Sequence, residues 1–208
     1  DGNDQIYGGY DNDTLYGDAG TDTLHGGTGD DTLYGGDDAD DLRGNTGNDT
    51  LYGEAGNDTL YGDWHWSEYG DDTLYGGDGA DTLYGGASND NLEGGAGADT
   101  LYGESGADTF LFMSATAFDA VDTVKDFSTG QSDKIDISDV LDIAGYEHGV
   151  DTLTDWVQIV TNGSHSELRV DVTGSASFGS GTQIALIENV TGLTDEAALV
   201  SSGHLLVA

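Results

Sequence analysis

Twelve aspartates form the pattern in this chain whose side chains can do chemistry in concert. Asp4, Asp13, Asp22, Asp31, Asp40, Asp49 and Asp58 lie nine residues apart, and Asp72, Asp81, Asp90, Asp99 and Asp108 resume that spacing after one step of fourteen. A lone aspartate in a glycine-rich segment is ordinarily a turn residue, held by hydrogen bonds to nearby backbone. Twelve in register make a ladder. Carboxylate and backbone carbonyl oxygens are the ligand set of a hard divalent cation, and flexible glycine loops suit calcium better than magnesium, which demands a tight octahedron.

The elements that must position these carboxylates are written in the same period. Two residues after each aspartate stands an apolar residue: Ile6, Leu15, Leu24, Leu33, Leu42, Leu51, Leu60, Leu74, Leu83, Leu92, Leu101 and Phe110. Five residues before stands a glycine, from Gly8 to Gly53 and again at Gly76, Gly85, Gly94 and Gly103. Two residues before, most units carry another, as at Gly20, Gly47, Gly79 and Gly106. The unit G-G-x-G-x-D-x-U-x, with U apolar, reads as a three-residue strand x-U-x pointing U inward, followed by a six-residue turn. Thr before U and Tyr after it suit a strand. Two units complete a coil with a strand on each side and a loop at each edge, and coils stack about 4.8 Å apart. The expected fold class is all-β: a parallel β-roll, a solenoid of the β-helix kind.

Stacking sorts the aspartates into two columns. One edge carries Asp4, Asp22, Asp40, Asp58, Asp81 and Asp99; the other carries Asp13, Asp31, Asp49, Asp72, Asp90 and Asp108. Bare carboxylates at this spacing repel by roughly 3–4 kcal/mol per neighbour at an effective dielectric near 20. Each inward Leu contributes only about 1.5–3 kcal/mol when fully buried. The thin core therefore folds poorly unless calcium lies between stacked carboxylates, up to about ten ions over the intervals of both edges. Asp11, Asp38 and Ser88 replace the second loop glycine, and Ser tolerates positive φ less well than Asp, so the Asp90 loop is expected to be the weakest site. Asp11, Asp18, Asp30, Asp37, Asp38, Asp63, Asp71 and Asp78 fall at other loop positions and are expected to face solvent.

Composition narrows the function. The 208 residues hold 41 Asp+Glu against 4 Lys+Arg, a net charge of −37, with 35 Gly and neither Pro nor Cys. Four cations cannot neutralise a phosphate backbone, so nucleic acid is excluded as a partner. No disulfide or thiolate metal site can form, and no apolar run is long enough for membrane insertion. The opening Asp1-Gly2-Asn3-Asp4 is no signal peptide and begins inside the repeat, so a longer protein or a mature N-terminus is expected. Five histidines, His25, His65, His148, His165 and His204, form no H-E-x-x-H, and no G-x-S-x-G occurs, so the segment is not read as an enzyme. The fourteen-residue step holds Trp64-His65-Trp66-Ser67-Glu68-Tyr69 on the Asp72 edge, either a binding knob or a loop folded back over the roll. Tyr7, His25, Arg43, Tyr61, Tyr84 and Tyr102 line one strand face, and Tyr16, Tyr34, Tyr52, Tyr75, Glu93 and Leu111 the other. Such stripes stabilise stacked strands, and a glycan or cell-surface partner is the functional alternative.

The repeat ends near residue 112. Residues 1–111 hold 26 acids and one base, residues 112–208 only 15 acids and three bases. Phe110–Phe112 is expected to broaden the last strand. Strands are expected at Val121–Phe127, Asp133–Ile137, Asp155–Val160, Glu167–Val172, Gln183–Ile187 and Leu205–Val207, with short helices capped by Ser138 or Asp139 over Asp139–Ala144 and by Thr194 over Asp195–Val200. The expected division is a calcium-binding roll at 1–111 and a mainly β cap with short helices at 112–208. Asp122, Asp126, Asp133 and Asp136 read equally as further ligands or as ordinary polar strand faces.

The repeat block resembles the RTX (repeats-in-toxin) family. Gly106–Phe112, Asp122-Thr123-Val124-Lys125-Asp126-Phe127 and Asp133-Lys134-Ile135-Asp136-Ile137-Ser138 resemble the type I secretion C-terminal target domain that closes large bacterial RTX adhesins; similar stretches follow the roll in serralysin-like metalloproteases. The resemblance implies a monomeric module exported unfolded by an ABC transporter and folded by extracellular calcium, either released or held at the cell surface. Its uncleaved signal would lie near Thr194–Ala208. The alternatives it leaves open are an adhesive, glycan-binding module and the C-terminal roll of a secreted protease, toxin or other enzyme whose catalytic domain lies elsewhere.

Overall fold

Each nonapeptide places one apolar side chain inward, and this alone sets the architecture. The computed structural model describes residues 1–65, 68–113, 115–144, 156–171, 182–190, 193 and 196–207. Its strands are β1 (Gln5–Tyr10), β2 (Thr14–Ala19), β3 (Thr23–Thr28), β4 (Thr32–Asp37), β5 (Asp41–Thr46), β6 (Thr50–Ala55), β7 (Thr59–Tyr61), β8 (Thr73–Asp78), β9 (Thr82–Ala87), β10 (Asn91–Ala96), β11 (Thr100–Ser105), β12 (Thr109–Leu111), β13 (Asp122–Val124) and β14 (Lys134–Asp136). Helix α1 (Ser138–Ala144), β15 (Val157–Asn162), β16 (His165–Val170), β17 (Thr182–Ile187), α2 (Glu196–Ser202) and β18 (Leu205–Leu206) follow.

Consecutive strands alternate between two sheets. Odd strands β1 to β13 stack in one sheet and even strands β2 to β14 in the other, all parallel, with partners in the repeats eighteen residues apart, or twenty-three across the insertion. Between the sheets runs one column of side chains, from Leu24 to Leu101 and Phe110, all 0% exposed. Ile6 and Leu15, in the first coil, are only partly buried. Outside, the tyrosines stack face to face: Tyr16, Tyr34, Tyr52 and Tyr75 at 4.9 Å, and Tyr61, Tyr84 and Tyr102 at 4.7–4.8 Å. The parallel β-roll expected from the repeat is the fold found.

The strands are longer than the expected three residues. Most run six, through the glycine pair, because register continues past the tyrosine, as in Tyr7 with His25, Gly9 with Gly27 and Tyr10 with Thr28. The turn shrinks to three residues, such as Gly20–Asp22 between β2 and β3. The expected broadening at Phe110–Phe112 does not occur; β12 stops at Leu111, where the glycine pair is missing.

Beyond the repeats both sheets continue. β13 and β14 pair in parallel with β11 and β12, and β18 adds to β14. β17 pairs in parallel with β13, then β16 and β15 complete an antiparallel meander at the sheet's end. Val124, Ile135, Ile137, Ile187 and Leu205 extend the buried column. The cap of α1 is Asp136 rather than Ser138 or Asp139: its Oδ1 accepts from Ser138 N at 3.0 Å and Ser138 Oγ at 2.6 Å. The predicted cap Thr194, together with Asp155 and Val172, lies outside the described residues.

Candidate metal centre

All twelve repeat aspartates fall into the two columns that the spacing requires, at the turn leading into each strand. Along one edge the backbone N–H of Asp4 donates to Asp22 Oδ1 (2.7 Å), Asp22 to Asp40 (2.7 Å), Asp40 to Asp58, Asp58 to Asp81 and Asp81 to Asp99 (2.8 Å each). Along the other, Asp13 donates to Asp31 and Asp31 to Asp49 (2.7 Å each), Asp49 to Asp72 and Asp72 to Asp90 (2.8 Å each), and Asp90 to Asp108 (3.0 Å). The carboxylates therefore do not face one another as simple pairs, as the sequence suggested. From Asp22 to Asp108 one oxygen of each is spent on the neighbouring coil's backbone, because the turn leaves that N–H without a sheet partner.

The other oxygen is bare. Oδ2 of Asp13, Asp22, Asp31, Asp40, Asp49, Asp58, Asp72, Asp81, Asp90, Asp99 and Asp108 is buried without a hydrogen-bond partner. Asp4, in the first coil, is exposed and does not share this burial. Each bare oxygen lies over a glycine five residues earlier (ten at Gly62, across the insertion), and at seven of these glycines a carbonyl of the next coil lies beside it. A Cβ on Gly8 would sit 2.6 Å from both Asp13 Oδ2 and Gly26 O, and the same pairing surrounds Gly17, Gly26, Gly35, Gly53, Gly62 and Gly76. The glycine is thus required by close approach: any side chain would fill an oxygen-lined notch. Among the described residues no three ligating side chains converge. An ion here must draw on one carboxylate oxygen and backbone carbonyls, a hard-oxygen set that fits calcium.

Electrostatics point the same way. Burial pushes the carboxyls up, to about 6 at Asp40 and Asp58, about 7 at Asp49, Asp81 and Asp108, about 8 at Asp90 and about 9 at Asp72, despite the backbone N–H each accepts. Asp31 and Asp99 are raised by the same burial. Inside the stacked roll, burial thus disfavours the ionised form of these carboxyls unless a counter-ion is bound.

The replaced glycines keep the loop geometry. Asp11, Asp38 and Ser88 adopt φ of 67°, 76° and 94°, the left-handed region that Gly20 occupies elsewhere. Ser88 does not disturb Asp90, whose carboxylate is placed like its neighbours'.

Of the four later acids that the sequence left open between ligand and strand face, two join the columns. Asp99 N donates to Asp122 Oδ1 (3.0 Å) and Asp108 N to Asp133 Oδ1 (3.2 Å), so both ladders run one level further. Both carry the D-x-U signature, at Asp122-Thr123-Val124 and Asp133-Lys134-Ile135, but at irregular spacing. Asp133 Oδ2 accepts from Ser128 N (2.7 Å), and Asp126 accepts from Gly103 and Glu104 N–H. A second ladder went unread. Oδ1 of Asn12, Asp30, Asn48, Asp71 and Asn89, the residues before the Asp13-edge aspartates, accepts the backbone N–H one coil on at 2.8–3.0 Å. Asp30 and Asp71 are exposed, as expected, yet they also clamp coils together.

Asp63 is a correction. Expected in solvent, it is 7% exposed, held against β9 by Asp63 N donating to Gly85 O at 3.1 Å and Ala87 N donating to its Oδ2 at 3.0 Å. Trp64 meets Tyr61 edge-on at 4.6 Å and carries the Arg43 guanidinium 3.7 Å from its ring centre. The rest of the expected knob, Trp66 and Ser67, lies outside the described residues.

Comparison with known proteins bears on these ladders. The RTX calcium-binding nonapeptide repeat matches four times, over residues 1–33, 34–64, 66–92 and 84–112. No curated protein matches. Among solved structures the chain is similar to the AlgE6R2 subunit of the Azotobacter vinelandii mannuronan C5-epimerase, with 27% identity, 80% of this chain and 91% of that one covered, and a TM-score of 0.39. The AlgE6R3 subunit of the same enzyme matches with 25% identity, 83% and 80% coverage and a TM-score of 0.40. Serratia marcescens extracellular lipase LipA matches with 18% identity, all of this chain and 38% of that one covered, and a TM-score of 0.36. Repeat, roll and profile agree over more than half of the sequence, and the chain belongs to the RTX calcium-binding nonapeptide repeat family.

Proposed function

We propose that this chain is a non-enzymatic module whose folding is switched by calcium outside the cell, at the C-terminus of a large adhesin exported by a type I secretion system. The observation that carries the reading is the row of buried, unpartnered carboxylate oxygens from Asp13 to Asp108. Calcium, when bound, supplies the positive charge that these columns lack. Asp4 would complete the first level. Residues 1–111 act as the roll and residues 112–208 as the cap and secretion target region.

The chain's own residues make the switch. At the low calcium of a cytosol, like charges along both columns oppose coil stacking and keep the chain open for threading through a transporter. Extracellular calcium modules bind with Kd near 10⁻⁴–10⁻³ M, so a ligand that binds only the stacked state drives folding on exit. Many coupled sites make the response steep. A monomer suffices, since the coils stack within one chain. No described helix is long and apolar enough to cross a membrane.

Circular dichroism during a calcium titration of EDTA-treated protein tests the folding switch at neutral pH: a steep, cooperative gain of β signal is expected, and a full signal in EDTA overturns it. Deleting Thr194–Ala208 and measuring export tests the secretion role separately; unchanged export removes the signal from that stretch.

A further inference from the structure

One loop acid stands outside the column positions and yet is buried with them. The chain leaves the roll for the insertion directly after Gly62, and the next residue, Asp63, differs from its counterparts at other levels. The residues that follow the other notch glycines, from Gly9 to Glu104, have φ between 66° and 121°, whereas the φ of Asp63 is not positive. The difference changes which atoms face the next coil. At Gly27, Gly36, Gly77 and Gly95 an added Cβ would meet the backbone carbonyl of the residue one coil earlier, which is Gly9, Asp18, Glu54 and Gly77 in turn. At Gly86 it would meet the side chain of Asp63 instead, Cβ at 2.6 Å and Oδ2 at 3.1 Å. A carboxylate therefore stands where regular levels present a loop carbonyl.

The two oxygens of Asp63 are in different states. Oδ2 accepts from Ala87 N at 3.0 Å, while Oδ1 is buried with no hydrogen-bond partner, in a residue more than nine-tenths buried. An asparagine would serve Ala87 N as well and bring no charge. The charge is costly here, because it opposes ionisation at Asp49, Asp72 and Asp90, three successive members of one column. The cation over the adjacent Trp64 does not offset it, since Arg43 is held by both oxygens of Asp41 at 2.6 and 2.8 Å. Asp63 N donates to Gly85 O at 3.1 Å, and that same carbonyl lies with Asp72 Oδ2 in the notch over Gly62. The added carboxylate thus borders the Asp72 notch. Among the described residues no level of either column gathers three ligating side chains, so every level must rely on backbone carbonyls as well. With Asp63, this level has two carboxylates where the others have one. Calcium affinity rises with the charge of the ligand set.

Resting on the calcium reading of the columns, we propose that Asp63 adds a second carboxylate to the calcium site at the Asp72 level, beside Asp72 Oδ2 and Gly85 O, and makes that site the tightest in the roll. The test uses the full chain equilibrated at pH 8 in calcium buffers of graded free concentration, with bound calcium per chain counted by elemental analysis and folding followed by circular dichroism. In wild type one ion per chain is taken up at a free calcium about tenfold below that needed by the rest. Asp63→Asn, which keeps an acceptor for Ala87 N, moves that early ion up among the others. Asp63→Gly, which restores the glycine pair of the repeat and with it a loop carbonyl, does the same. Asp71→Asn removes an exposed charge from the same loop and keeps an acceptor for Asn89 N, so it shifts the early step by about twofold or less, as a screened charge does. An early ion that persists in Asp63→Asn, an equal shift in Asp71→Asn, or a wild type whose ions all bind together overturns the added ligand and leaves the columns as calcium sites. A wild type that takes up no calcium overturns both readings. Should Asp63→Asn not fold in calcium, an early ion retained by Asp63→Gly overturns the added ligand by itself.

Discussion

The roll and the cap treat the same residue type in opposite ways. In the roll the column aspartates from Asp22 to Asp108 give one oxygen to a backbone N–H and leave the other buried and bare, as at Asp49 and Asp72. In the cap the protein supplies the missing donors. Asp133 Oδ2 takes Ser128 N, Asp136 takes the start of α1, and Glu188 meets Lys125 at 2.8 Å. Glu167 is bonded to Arg169 and Asn162, and these hold its carboxyl below the usual range, while burial pushes the roll carboxyls up. The roll therefore leaves carboxylate oxygens that its own donors do not satisfy, whereas beyond Asp122, which burial raises to about 8 as in the roll, the acids named here find donors within the chain. Dependence on an ion is a matter of where donors were left out, not of acidity.

Chelation should break the comparison most visibly. In EDTA at pH 8 the roll's β signal is expected to be lost and to return when calcium is restored. Acid should substitute in part for the ion. Carboxyls with an ordinary value of 3.8 are raised to about 6 at Asp40 and about 9 at Asp72, so folding of the metal-free roll takes up protons. That contribution is fully present below the unfolded value and fades as pH rises through about 6 to 9. Circular dichroism in EDTA should therefore show more structure at pH 5 than at pH 8, with the reverse order for calcium affinity.

Next in size is the shared core. Leu51→Ala removes a side chain that is 0% exposed, and about 2–5 kcal/mol of stability should be lost in calcium, measured by urea unfolding.

A smaller effect separates the two regions by sign. Asp72→Asn keeps an acceptor for Asp49 N but removes the charge. In calcium it should cost about 2–3 kcal/mol and lower the bound-ion count by calorimetry. In EDTA at pH 8 the same change should stabilise, since it deletes a carboxylate that burial disfavours. Asp136→Asn in the cap should show no such reversal.

The smallest expected change is Arg169→Ala, which breaks the partly exposed pair with Glu167. About 1 kcal/mol or less should be lost, equally with and without calcium. A calcium-dependent loss would tie the cap's acids to the roll's ions.

Much of the roll was legible because a nonapeptide touches only the coils above and below it. A period of nine thus specifies the column of Leu side chains, the tyrosine stacks and the partner of every repeat aspartate. The C-terminal strands were legible as elements, through alternation such as Ile135 and Ile137, but their order was not. Their contacts join residues far apart, as where β18 meets β14, or His204 Nδ1 lies 2.7 Å from Asp133 O. No local pattern encodes such a pairing.

Sequence alone determined that this protein is a calcium-family roll with two acidic edges, because in a stacked repeat the period is the contact map. Only tertiary structure decided which carboxylate oxygen stays bare, that Asp63 is buried against β9, and that an antiparallel meander ends one sheet. Those outcomes depend on where each backbone N–H and C=O finds a partner, and partners are chosen in space rather than along the chain.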